Sequence, residues 1–206
     1  MSLVPFTFTD ANMDESSDWP HIAAIVHAEH GTADGLLADF VFGLRASGRR
    51  VCGLIQQYKD DTDKESAMLV DLDGGECFPL FQNLGTGSTS CGLDEISIAA
   101  ASAVLRRALS EKPDLVVANR FGELEATGGG FAAEMLALMA EGVPLITVVV
   151  EKYLNDWRRF TGGAAKELRP QREALEAWFS DLSQLKGPPI SRPESSGKTT
   201  THHDKS

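Results

Sequence analysis

Four nearly continuous apolar runs, separated by helix-patterned sequence, restrict what this chain can fold into. They are HIAAIVHAE (His21–Glu29), RRVCGLIQQ (Arg49–Gln57), DLVVAN (Asp114–Asn119) and VPLITVVV (Val143–Val150). A strand that is apolar along its whole length is covered on both faces, as in a parallel sheet with helices on each side. Between the first two runs, Leu36, Leu37, Phe40, Val41 and Leu44 recur at helical spacing up to Ala46, and Gly48 supplies the stop. Strand, glycine-containing turn, helix and strand in about 35 residues make a βαβ unit, and such a crossover joins parallel strands.

The remaining pattern extends the same architecture. Ala67–Asp73 and Glu76–Gln82 flank Gly74-Gly75 and predict a β-hairpin at the sheet edge. A Gly/Ser/Thr loop, Asn83–Gly92, precedes an Ala-rich helix over Leu93–Glu111 that Pro113 ends. A second Gly-rich loop, Arg120–Gly130, leads into a helix over Phe131–Glu141, capped by Gly142. Tyr153–Phe160 and Arg169–Leu185 are amphipathic. The expected fold is α/β: a mostly parallel sheet with helices on both faces, plus an edge hairpin. Residues 1–18 are expected to form a flexible lead, 19–185 a single domain, and 186–206, rich in Pro, Ser and Thr, a disordered tail.

Composition removes several function classes. The net charge of -11 and the scattered arginine pairs (Arg49-Arg50, Arg106-Arg107, Arg158-Arg159) argue against nucleic acid as a partner. No apolar run approaches the ~20 residues of a membrane span. The amino-terminal residues lack a basic segment followed by an apolar one, so a cytoplasmic location is expected. Three cysteines, Cys52, Cys77 and Cys91, form no CxxC pair, and no His/Cys cluster has zinc spacing. Reduced thiols and no metal centre are expected, with Cys52 and Cys77 as packing residues. Nothing forbids a homo-oligomer.

In a sheet of this kind the turn after the first strand is where phosphate binds, on backbone N–H groups at a helix N-terminus. A working phosphate loop reads GxxxxGK[ST], with its Lys on the phosphates and its Ser or Thr on magnesium. Here the turn is HAEHGTADGLL. It keeps Gly31, Thr32 and Gly35, but there is no Lys between Met1 and Tyr58. Glu29 and Asp34 add negative charge where a triphosphate would sit. The strand opposite, which in such enzymes ends in a magnesium-handling carboxylate, here ends at Asn119-Arg120. Gly197-Lys198-Thr199-Thr200 in the tail has Arg192 where the first glycine belongs, and neither strand nor helix around it.

The chemistry therefore moves to the other loops. Gly85, Thr86, Gly87, Ser88, Ser90 and Cys91 lie before a helix and offer hydroxyls and flexible backbone N–H groups, which together can wrap an oxyanion. Arg120 would add a bidentate contact if it faces the same crevice. The same loop also reads as an exposed linker, with Ser90 or Asp94 capping the helix. Glu123 and Glu125 are candidates for acid and base, or for loop-end charges and caps. Trp157 and Phe160 are candidates for a wall of the crevice, or for staples between helix and sheet.

The order of elements resembles small P-loop nucleoside triphosphatases of the thermophile type and the molybdopterin-guanine-dinucleotide accessory GTPases, without their catalytic signatures. The chain is more closely similar to the bacterial family called domain of unknown function 2478, whose members are often encoded beside molybdate-transport genes. The residues that carry this are Ser90-Cys91-Gly92-Leu93-Asp94, Asp114–Gly122, Glu125, Gly128–Phe131, Gly142–Thr147 and Trp157–Gly163. An Arg often stands in that family where this chain has Gly92. The resemblance implies a link to molybdenum metabolism, with a small anionic ligand, molybdate or a nucleotide, as the partner. The expected function is a non-hydrolysing protein that binds an oxyanion or phosphoryl ligand. The alternatives are a divergent nucleoside triphosphatase and a regulatory scaffold.

Overall fold

The computed structural model describes residues 19–28, 32–60, 66–81 and 94–185. Its seven strands are β1 (Trp19–His27), β2 (Val51–Tyr58), β3 (Ala67–Asp71), β4 (Cys77–Pro79), β5 (Leu115–Phe121), β6 (Leu145–Val150) and β7 (Ala165–Leu168). Its helices are α1 (Thr32–Ala46), α2 (Glu95–Glu111), α3 (Glu123–Ala126), α4 (Ala132–Ala140), α5 (Leu154–Phe160) and α6 (Arg172–Leu185), with one turn of 3-10 helix at Glu151–Tyr153. The strands form one sheet in the order β4-β3-β2-β5-β6-β1-β7. β2, β5, β6, β1 and β7 run parallel, and β3 and β4 are the antiparallel edge hairpin. Among the described residues, no helix is long and apolar enough to cross a membrane.

The apolar runs become central strands because their alternate side chains feed two cores. Ile22 and Ala24 of β1 face the side of the sheet that carries α2, α4 and Trp157 of α5. Ala23 and Ile25 face α1 and α6, where Leu37, Phe40, Leu175 and Phe179 are buried. α6 is tied down by its Trp178, whose indole N–H donates to the Pro20 carbonyl at 2.7 Å. Gly53 in β2 has φ +109°, and a Cβ there would lie 2.2 Å from the Val117 carbonyl oxygen of β5. Only glycine permits that close approach.

Several expectations need correction. α1 begins at Thr32, not Leu36, and Gly35 lies within its first turn in open space. Gly35 is therefore no turn glycine; exposed inside a helix it costs only about 1 kcal/mol relative to Ala. β5 runs on to Phe121, so Asn119 and Arg120 lie inside the strand. The Arg120–Gly130 loop contains the short helix α3. β7 was not foreseen, since AKEL is only four residues long and half exposed, and only its pairing with β1 makes it a strand. The lead, the tail with its GKTT string, Gly31 and the whole Asn83–Gly92 loop lie outside the described residues.

Ala at position 53 would need the β2–β5 pair to separate. Gly53→Ala is expected to lower the unfolding free energy by about 3 kcal/mol or more, measured by urea denaturation. A loss below about 1 kcal/mol would show that the two strands approach less closely than described.

Candidate functional site

One irregularity organises the carboxyl end of the sheet. In β5, Val117 pairs with Ile146 of β6, but the next pair is Arg120 with Val148. Three steps along β5 match two along β6, so one extra residue is accommodated at Ala118–Asn119, a β-bulge. Thr147, fully buried on β6, donates its hydroxyl to the Ala118 carbonyl at 3.1 Å and so satisfies an acceptor there. Asn119 absorbs the distortion with φ +34°, in the left-handed region.

The bulge reverses which side chain faces which core. Ala118 and Phe121 both lie in the core on the α2 and α4 side, three residues apart where regular alternation would separate them. Phe121 meets Trp157 edge-on at 5.2 Å and Phe160 at 5.1 Å between ring centroids. Those two residues therefore staple α5 to β5, and neither lines the crevice. Arg120 is turned towards α1, where its guanidinium pairs with Asp34 in the first turn of that helix. Side-chain exposure is 17% for Arg120 and 10% for Asp34, so the pair is largely withdrawn from water. Asp34 thus lies where the positive end of the α1 dipole and an arginine both favour an anion.

Beside this pair is a cavity of 380 Å³. Gln56 and Tyr58, at the end of β2, form one side, and the Gln56 carboxamide donates to the Tyr58 phenol oxygen at 2.5 Å. Leu80, Phe81 and Ile98 add apolar surface. Asn119, Arg120 and the Gly122–Glu125 segment form the opposite side, with Phe131 beyond. The chain leaves β1 towards α1 on one face and leaves β5 towards α3 and α4 on the other. Asn119 is only 8% exposed, and its carboxamide makes no hydrogen bond among the described residues. A left-handed non-glycine residue costs roughly 1–3 kcal/mol. That penalty falls on a residue facing a cavity.

Of the sequence candidates, Arg120, Glu123 and Glu125 come together at this cavity. Gly85, Thr86, Gly87, Ser88, Ser90 and Cys91 lie outside the described residues. Thr32 and Gly35 belong to α1, and Gly35 does not line the cavity. Glu125 holds two backbone N–H groups. One carboxylate oxygen accepts from the Gly122 N–H at 2.9 Å and the other from the Phe131 N–H at 3.1 Å, which binds α3 to the start of α4. Gly130 makes room for it, since a Cβ there would lie 2.1 Å from Glu125 Oε1. Asp94, rather than a loop serine, is the N-cap of α2, accepting from the N–H of Ile96 at 3.1 Å and of Ser97 at 3.2 Å. Gln56, Tyr58 and Asn119 were not singled out as site residues. The one signal was an amide side chain breaking the apolar run DLVVAN.

Cys52, Asp73 and Glu111 bring potential metal-ligand atoms within 4.8 Å of one another near the amino end of β2. Burial, with Asp73 adding to it, pushes the Cys52 thiol up. Glu111 is also paired with Arg50. A protonated thiol and a paired carboxylate make a poor cation site.

Burial is also the main influence on Glu125 and pushes its carboxyl above the usual glutamate range, against the two backbone N–H groups that favour the charged form. A folded-state pKa above the unfolded one makes a contribution that is full below about 4.3 and is lost as pH rises through the folded value. The stability of wild type relative to Glu125→Gln should therefore be greater at about pH 4 than at about pH 8, measured by urea denaturation. An unchanged difference would mean that Glu125 titrates as in the unfolded chain.

The family model described as "Protein of unknown function (DUF2478)" matches residues 22–178. The molybdenum import ATP-binding protein ModC 2 of Bradyrhizobium diazoefficiens is 37% identical over 164 residues, which is 79% of this chain and 18% of that protein. The chain thus spans less than a fifth of the length of this curated relative. The solution structure of a human cancer-related nucleoside triphosphatase superposes with a TM-score of 0.55 at 18% identity, covering 84% of this chain and 98% of that one. That likeness is one of fold, and it agrees with the nucleoside-triphosphatase-like α/β layout expected from the order of elements. The family match takes in both sides of the crevice, from Gln56 to Phe131, and the chain belongs to the DUF2478 family.

Proposed function

We propose that this chain binds a small anionic ligand at the carboxyl end of its sheet without hydrolysing it, and that it serves molybdenum metabolism in the cytoplasm. The observation that carries this reading is the Arg120–Asp34 pair. The bulge turns an arginine to the N-terminus of α1, and the chain's own carboxylate occupies the place that an anion would take. A ligand oxyanion or phosphoryl group that displaces Asp34 meets both the guanidinium and the helix dipole.

Three features support the absence of hydrolysis. The α1 turn has no lysine for the phosphates. Asn119 and Arg120 stand where a magnesium-handling carboxylate would be needed. Glu125 uses both of its oxygens to hold backbone N–H groups and so is poorly placed to act as a base. The link to molybdenum rests on the relative whose name gives it a role in molybdenum import, of which this chain matches only a part.

Calorimetry with molybdate, tungstate, sulfate, phosphate, ATP and GTP tests this reading. At least one of them should bind, with affinity reduced tenfold or more in Arg120→Gln and increased about tenfold, or ~1.4 kcal/mol, in Asp34→Asn. Neither ATP nor GTP should release phosphate in the presence of magnesium. No heat from any anion would sink the binding reading. Turnover that is lost in Glu123→Gln together with Glu125→Gln would instead favour a divergent triphosphatase.

A further inference from the structure

We infer that the cavity beside Arg120 receives a planar nitrogen heterocycle with a hydrogen-bond donor and an acceptor side by side on one edge, the nucleobase class, read by the Asn119 carboxamide. This rests on the reading above that the crevice binds a small ligand, and it specifies what that ligand carries besides negative charge.

Volume decides first. A tetrahedral oxyanion fills the space of roughly three waters, on the order of 90 Å³. It would leave most of a 380 Å³ cavity unfilled. That volume is in the ordinary range for organic ligands. The surfaces decide next. Tyr58, Phe81 and Phe131 contribute aromatic rings, and Ile98 an aliphatic wall. Rings of this kind suit a flat, largely apolar body better than a strongly hydrated ion.

The third observation is Asn119 itself. It is more than nine-tenths buried, lines the cavity, and has no side-chain hydrogen bond among the described residues. A carboxamide offers an N–H donor and a C=O acceptor side by side. An oxyanion, which only accepts, would satisfy the N–H and set its charge against the C=O. The edge of a nucleobase offers the complementary pair and satisfies both at once, as asparagine does with adenine elsewhere. The left-handed φ of +34° holds this side chain at the cavity and gives the bulge a purpose beyond re-aiming Arg120. On the far side, the Tyr58 oxygen already accepts from Gln56, so its hydroxyl hydrogen remains able to donate to a ring nitrogen or carbonyl. The net charge of -11 makes a free base, nucleoside or mononucleotide the source, rather than a nucleic acid.

The test is titration of the full chain with guanosine and adenosine, which carry no phosphate, beside GMP, AMP and molybdate, followed by calorimetry. At least one nucleoside should bind. Asn119→Gly should weaken that binding tenfold or more while leaving the melting temperature unchanged or higher, because glycine accepts a positive φ without strain. Tyr58→Leu should weaken it as well. Nucleoside binding that survives Asn119→Gly, or no binding of either nucleoside or its monophosphate, would overturn this inference. Molybdate binding without any nucleoside or nucleotide binding would also overturn it, and would leave the anion reading standing. Nucleoside binding with no contribution from phosphate or molybdate would support it and overturn the anion reading. Tighter binding of the monophosphate than of its nucleoside, with the difference abolished in Arg120→Gln, would support both.

Discussion

Everything distinctive about this sheet depends on one extra residue in β5. Without the bulge at Ala118–Asn119, the alternation of the strand would put Arg120 into the apolar side that holds Trp157, and Phe121 towards the α1 N-terminus. Neither placement is tolerable, because an unpaired guanidinium in that core would meet a large desolvation penalty. The bulge solves both problems in one step. Phe121 joins Trp157 and Phe160, Arg120 reaches Asp34, and Thr147 on the neighbouring strand covers the Ala118 carbonyl. Asn119, at the bulge itself, keeps a positive φ, and its amide makes no hydrogen bond among the described residues. Strain of this kind is retained where the surrounding structure over-determines it, and such places cluster at binding sites.

The same region sets a helix N-terminus and a cationic side chain against each other, and Asp34 lies between them as an internal anion. Carboxylates elsewhere in the crevice are put to structural use. The Glu125 carboxylate accepts from the backbone N–H groups of Gly122 and Phe131, and Gly130 has no side chain to obstruct it. Beside Arg120, Glu123 and Glu125, the crevice is lined by the amides of Gln56 and Asn119, the Tyr58 phenol and apolar side chains.

How much of this could be read beforehand follows from the range of each interaction. The central strands were legible because burial on both faces leaves unbroken apolar runs. The edge hairpin was legible from Gly74-Gly75, and its turn is indeed held by Asp71, whose carboxylate accepts from the Asp73 N–H at 2.9 Å. β7 was not legible, because four half-exposed residues carry no pattern and become a strand only through β1. The choice between Glu125 as catalyst and as cap could not be made either. That choice depends on where the N–H groups of Gly122 and Phe131 point, and hydrogen bonds across six residues of irregular chain leave no periodic trace.

The amino-acid sequence by itself determined the α/β class, the parallel core, the missing phosphate-loop lysine and the absence of a carboxylate at Asn119-Arg120, because each is a matter of residue type or period. It also carried the family. Only the tertiary structure decided that β5 slips by one residue against β6, and with that slip which face each of Asn119, Arg120 and Phe121 addresses. Register is set by pairing between strands far apart in the chain, so no local pattern could reveal it. The lysine-free turn after β1 is therefore only half of its account. The other half is the re-aimed end of β5, where an arginine, a carboxylate and an unbonded amide meet beside a cavity.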